Sequence, residues 1–159
     1  MIQATRETNF NVYIETEAKR IDTTVASTQI RHLMKFTNDL DGAVFYCYGR
    51  TENIYDRYTK LEFLFNLVAD RYVGRVHLIP AGYFKYEAYE VSWIGAVTTT
   101  LTTAPATEID VLPISPTNGV VQGLVAIGKL YLAEKSGKEE VQYTEYEAPA
   151  STNTIYYGQ

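Results

Sequence analysis

The sequence predicts an all-β chain, an antiparallel β-sandwich with an extended C-terminal hairpin and arm. Three observations carry this expectation. Several short segments alternate apolar and polar residues with the two-residue period of a strand. Turn signals such as Asp41-Gly42 and Pro80–Gly82 separate them at close spacing. Tyrosine, a strand-favouring residue, occurs 14 times in 159 residues. No segment sustains a long helical period.

The elements follow in chain order. FNVYIETE (10–17) puts Phe10, Val12 and Ile14 on one face and Asn11, Tyr13 and Glu15 on the other, as a first strand would. Residues 18–30 are polar and rich in Thr and Ser, which predicts a loop. HLMKFTND (32–39) and GAVFYCYGR (42–50) are two strands joined at Leu40-Asp41-Gly42, because Asp-Gly between apolar runs is a hairpin signal. RTENIYDR (50–57) reads as a turn or a short helical piece. YTKLEFLFNLV (58–68) aligns Leu61, Phe63 and Phe65 for a strand, although Leu64, Leu67 and Val68 also suit a helix. RVHLIPAG (75–82) is a short strand ending in a turn. AGYFKYEAYEVSW (81–93) then alternates, with Phe84, Tyr86 and Ala88 on one face and Tyr83, Lys85, Glu87, Tyr89 and Val91 on the other. That pattern predicts a central strand whose mixed face suits cross-strand pairing or contact with another subunit.

The texture changes at residue 97. Residues 97–119 hold three prolines and seven threonines and read as an extended connection. VVQGLVAIGKLYLAE (120–134) and EEVQYTEYE (139–147) read as a late hairpin. Gly123 and Gly128 within it mark bulges or close backbone approach. APASTNTIYYGQ (148–159) lacks the material for a core, and its apolar tip suits addition to a neighbour's sheet edge. The expected organisation is therefore a sandwich core over 1–96, a connection over 97–119, a hairpin extension over 120–147 and a C-terminal arm over 148–159.

Composition narrows the function classes. Hydrophobic residues make up 46% of the chain, enough for a core. A net charge of −5 and scattered cations argue against specific nucleic-acid binding. No apolar run reaches membrane-spanning length, and the N-terminal stretch has no apolar signal core. The lone Cys47 leaves no partner for an intramolecular disulfide and suits a reducing compartment.

A search for reactive constellations returns none, so no catalytic, metal or cofactor residue is expected. His32 and His77 both fall in predicted strands. Cys47 sits between aromatics as a buried thiol. TNDLDG (37–42) imitates part of a calcium loop, but Thr37 and Tyr48 occupy positions where that loop needs carboxylates, so a hairpin turn is expected. Glu87 and Glu90 have opposite strand parity and cannot face each other as an acid pair. The residues expected at a subunit or partner contact are Tyr83, Tyr89, Trp93, Ile155, Tyr156 and Tyr157.

Two resemblances add to this reading. Phe84-x-Tyr86-x-Ala88 after Gly82 resembles the penultimate strand of immunoglobulin and fibronectin-like domains, with phenylalanine where the corner tyrosine would stand. That implies an immunoglobulin- or fibronectin-like architecture without the disulfide. KFTNDLDG (35–42), GYFKYEAYE (82–90) and EEVQYTEYEAPASTNTIYYGQ (139–159) together resemble small β-rich virion proteins of tailed bacteriophages, in particular the crAss-like group infecting Bacteroidetes. The resemblance implies a non-enzymatic particle component without cofactors, assembled in the host cytoplasm. Its partners would be copies of itself and portal, neck or capsid proteins, near packaged DNA. The expected role is a head–tail connector (neck) ring subunit. The alternatives are a head decoration or fibre-attachment protein and, from another class, a carbohydrate-binding module using exposed tyrosines such as Tyr83 and Tyr89.

Overall fold

Nine strands in two sheets account for nearly all regular structure in residues 1–136, the part of the chain that this computed structural model describes. They are β1 (Ile2–Thr5), β2 (Phe10–Ile14), β3 (Ile30–Asn38), β4 (Val44–Tyr48), β5 (Glu52–Ile54), β6 (Thr59–Phe65), β7 (Arg75–Val76), β8 (Gly82–Ser92) and β9 (Val120–Ala133). The first sheet has the order β1-β9-β8-β3-β4 and the second β2-β6-β5, with β7 beside β6. Among the described residues, helix is confined to two 3-10 turns, Glu17–Lys19 and Ser27–Gln29.

Alternation places the core between the sheets. Phe84 and Ala88 of β8, Met34 and Phe36 of β3, and Cys47 of β4 face Val12, Leu61 and Phe63 from the second sheet, all fully buried. Phe63 anchors this interior through the Phe10 ring at 5.3 Å and the Phe36 ring at 5.8 Å. Burial of each Val, Leu, Met or Phe side chain among these stabilises the fold by about 1.5–3 kcal/mol. Within the segment 58–68, Thr59–Phe65 form the strand β6 rather than a helix, because the alternate residues Leu61 and Phe63 meet this interior. Asp41-Gly42 lies in the β3–β4 turn, where Gly42 has φ 73°. The turn's side chains bond locally: Asn38 Oδ1 accepts from Leu40 N at 2.7 Å and Asp41 Oδ1 from Ala43 N at 2.9 Å.

Three expectations need correction. The sheets are mixed rather than purely antiparallel, because β1 runs parallel to β9 and β7 parallel to β6. The division at residue 97 does not describe the packing either. β9 lies inside the first sheet, paired with β8 along its length and with β1 at its end, so 120–133 belongs to the sandwich itself. The proposed return strand 139–147 and the arm 148–159 lie outside the described residues. Finally, residues 97–119 do more than connect. They fold over the outer face of the first sheet and close a second core of Leu33, Tyr48, Val91, Trp93 and Ala104.

That strap is held by polar ties, because most of its large apolar side chains point to solvent rather than onto the sheet. Tyr48 Oη donates to Pro105 O at 2.7 Å, Arg71 Nη1 to Ala106 O at 2.8 Å, and Gly119 N to Thr103 O at 2.7 Å. The expected close approach in GLVAIGK is present as well. Gly128 lies against the Tyr86 ring so tightly that a Cβ would fall 2.6 Å from its hydroxyl. Gly123 sits at one of two register shifts between β8 and β9, and at the other Val125 turns into the main core.

Candidate assembly surface

Buried polar groups are the natural first candidates for chemistry, and they cluster where β3, β5 and β8 meet. His32 and Glu52 are buried together, the His32 Nδ1 against one Glu52 oxygen, while the other oxygen accepts the His32 backbone N–H at 3.1 Å. Glu90, the cross-strand partner of His32, accepts from the Ile21 and Asp22 backbone N–H groups at 3.0 and 2.7 Å. Asp22 in turn bonds Ser92 at 2.8 Å, and hydrogen bonds from Thr24 and then Ser92 hold its carboxyl below the usual range. Each of these carboxylates is thus engaged by the protein's own donors. The cluster ties the loop 18–30 and β5 to the first sheet, as buried charge with satisfied partners does.

Cys47 is equally committed. Burial pushes its thiol up to about 12, so the thiolate that a nucleophile requires is disfavoured. His77 sits elsewhere, edge-on to the Phe65 ring at 5.8 Å. Among the described residues, no group of three or more His, Cys, Asp or Glu side chains is placed to hold a metal ion.

The outer face of the first sheet carries the exposed apolar material. Along β9, Leu124, Ile127 and Tyr131 point to the same side as Tyr83 and Tyr89 of β8. Ile127 is 56% exposed, and the Tyr83 and Tyr131 rings pair at 5.0 Å. The strap continues this stripe. Residues 108–112 and the start of β9 at Val120 and Val121 line a groove of about 350 Å³, and beside it Ile109 is 82% and Val111 93% exposed. A run of apolar side chains this open, along one face, is what an interaction surface offers.

Charged pairs frame the stripe and stiffen its base. Glu108 receives Lys35 Nζ and, at 2.5 Å, the Tyr46 hydroxyl, and Lys35 also lies 3.7 Å from Glu87. Burial and then Glu108 push the Tyr46 hydroxyl up to about 12. Burial also disfavours ionised Glu108, but the bonds from Lys35 and Tyr46 outweigh it and leave that carboxyl below its ordinary value.

The predicted contact residues separate accordingly. Tyr83 is exposed and belongs to the stripe. Tyr89 is half-buried and packs against the second core. Trp93 is 1% exposed beneath the strap, so it is a core residue and cannot touch a partner. Ile155, Tyr156 and Tyr157 lie outside the described residues. Sequence reasoning missed Ile109, Val111, Leu124, Ile127 and Tyr131. Alternation alone misplaces one of them: strict two-residue spacing groups Leu124 with Ala126 and Leu130, and only the register shift at Val125 brings Leu124 onto the face of Ile127.

No protein-family model matches the chain, and neither the curated proteins nor the solved structures contain a match to it.

Proposed function

We propose that this chain is a structural subunit of a tailed-bacteriophage particle, a head–tail connector ring component that works by shape and self-association. The observation that carries the assembly part is the stripe from Tyr83 and Tyr131 through Ile127 and Leu124 to Ile109 and Val111. Standard interfaces need about 800 Å² per partner with an apolar centre and a polar rim. The stripe supplies apolar material for such a centre, with charge set within it: the Lys85–Lys129 pair lies between the Tyr83–Tyr131 pair and Ile127, and Glu87 is the cross-strand partner of Ile127. The particle and its neck rest on the likeness of the sequence to small phage virion proteins. An acidic balance suits a conduit that should not grip DNA.

The finer fold reading belongs here too. We read the sandwich as immunoglobulin-like of the variable type. The order β9-β8-β3-β4 corresponds to the sheet G-F-C-C′, and β2-β6-β5 to B-E-D. Val12 of β2 and Ala88 of β8 supply apolar contacts to a core that no disulfide crosses among the described residues.

Mass measurement of the purified chain tests the proposal. A closed oligomer is expected, and the double change Val111→Asp with Ile127→Asp should reduce it to monomers with an unchanged unfolding midpoint. A chain that stays monomeric at every concentration and is missing from particles refutes the reading. Deleting 148–159, which contains Ile155, Tyr156 and Tyr157, should leave folding intact and abolish incorporation into particles.

A further inference from the structure

We propose that a second surface, formed by the outer face of β2, the β5–β6 turn and the edge where β5 meets the start of β3, binds a neutral oligosaccharide. Its first part is a ridge of three exposed tyrosines. Tyr13 is on the outer face of β2, where pairing sets it opposite Lys60. Tyr55 and Tyr58 belong to the β5–β6 turn, closed by Tyr55 N donating to Tyr58 O at 2.9 Å. The Tyr55 and Tyr58 rings are 4.8 Å apart, and the Tyr58 and Tyr13 rings 5.7 Å. The three rings thus form a continuous aromatic ridge at the protein surface.

Its second part is a groove that Tyr55 borders. Ser27, Thr28, Ile30, Arg31, Glu52, Asn53 and Ile54 line the rest, enclosing about 400 Å³. That volume falls in the range of about 300–1,000 Å³ typical of small-ligand sites. Among the described residues the side chains of Ser27, Thr28, Arg31 and Asn53 have no protein partner. Two hydroxyls, an amide and a guanidinium therefore stand ready to donate, and the hydroxyls and amide also to accept. Ile54 supplies apolar contact between them, with the buried Ile30 at the base.

This chemistry selects a sugar. A pyranose has hydroxyls at its edge, each both donor and acceptor, and C–H faces that pack on aromatic rings; the groove and ridge offer the two complements side by side. An added peptide strand is disfavoured, because the His32 N–H at the open end of β3 is already taken by Glu52. A polyanion is disfavoured as well. Arg31 is the single cation of the groove, Glu52 lies beside it, and the chain carries −5 overall. The site is separate from Tyr83 and Tyr89, and the proposal does not depend on the assembly role.

The test is an NMR titration of the ¹⁵N-labelled full chain with cellohexaose, mannohexaose and maltohexaose, and in parallel with a proline-rich peptide. At least one sugar should shift the amides of Arg31, Asn53, Tyr55 and Tyr58 at millimolar concentration. Tyr55→Ala with Tyr58→Ala should weaken binding roughly tenfold or more without moving the unfolding midpoint. The corresponding phenylalanine pair, which keeps both rings, should retain most of the affinity. Tyr83→Ala should change nothing. The proposal is overturned if no sugar shifts these amides, if the alanine pair binds normally, or if only the peptide shifts them.

Discussion

Gly119→Ala asks whether the strap over 97–119 is packed or merely draped. A Cβ built on Gly119 would lie 2.6 Å from Trp93 Cζ2, 2.7 Å from Cε2 and 2.9 Å from Val91 Cγ1. Ordinary carbon contacts begin near ~3.5 Å, so something must move by most of an ångström. Trp93 and Val91 are both fully buried and cannot swing aside. Gly119 cannot easily retreat either, because its N–H is bonded to Thr103 O at 2.7 Å within the strap. Overpacking of this kind costs about 1–3 kcal/mol. At roughly 3 °C per kcal/mol for a domain of this size, the thermal midpoint should fall by about 3–9 °C. Trp93 is the only tryptophan, so its emission reports this contact alone. Fluorescence-monitored melting should show both the lower midpoint and a red-shifted native spectrum as the strap lifts. A variant with the midpoint and emission maximum of the parent would show that residues 97–119 do not rest on the sheet.

Other outcomes follow from the same contacts. Glu52→Ala leaves the His32 ring nitrogen and a strand N–H without their acceptor, so chemical denaturation should show a loss of about 1–3 kcal/mol, and Glu52→Gln a smaller one. Cys47 should resist alkylation at pH 8 until denaturant is added, because burial holds its thiol far above that pH; rapid native labelling would contradict the buried placement. Glu108 has a lowered carboxyl in the fold, so its contribution is present above the ordinary value of 4.5 and lost as pH falls through the folded value. The unfolding midpoint should therefore drop as pH falls below the ordinary carboxyl value, and Glu108→Gln should flatten part of that slope.

What the sequence made legible is local. The inward Phe84 and Ala88 and the outward Tyr83 and Lys85 follow from strand parity alone, as does the placement of Leu61 and Phe63. Asp41-Gly42 names its own turn. The failures are contacts between distant parts of the chain. β1 is four residues long, so its alternation of Ile2 and Ala4 with Gln3 and Thr5 is too short to read as a strand; pairing with Leu130 and Leu132 of β9 makes it one. Glu52 looked like turn material until His32 supplied the group that needs it. Trp93 looked like a surface ring because the cover above it is rich in threonine and proline and turns its large apolar side chains to solvent, and a cover made by backbone bonds leaves no hydrophobic pattern. The apolar stripe was missed for the related reason that Ile109 and Val111 sit in that same cover.

The stripe and the tyrosine ridge lie on opposite sides of the core, and this separation has a mechanical consequence. The stripe belongs to the outer face of the β9–β8 half of the first sheet, and the tyrosine ridge to the second sheet and its β5–β6 turn. Packed sheets are about 10 Å apart and incompressible enough to act as one plate. Self-association through the stripe would therefore leave the ridge of every subunit pointing away from the contact. A ligand bound there would neither compete with assembly nor depend on it at a single site. Repetition would still change its strength, since many weak sites on one rigid particle bind a polymeric ligand far more tightly than one site does. Monomeric Val111→Asp/Ile127→Asp protein should thus bind a soluble hexasaccharide as the parent does, yet be retained less on an immobilised polysaccharide of the same repeat. Equal retention of monomer and oligomer would mean that the two faces do not cooperate in this way.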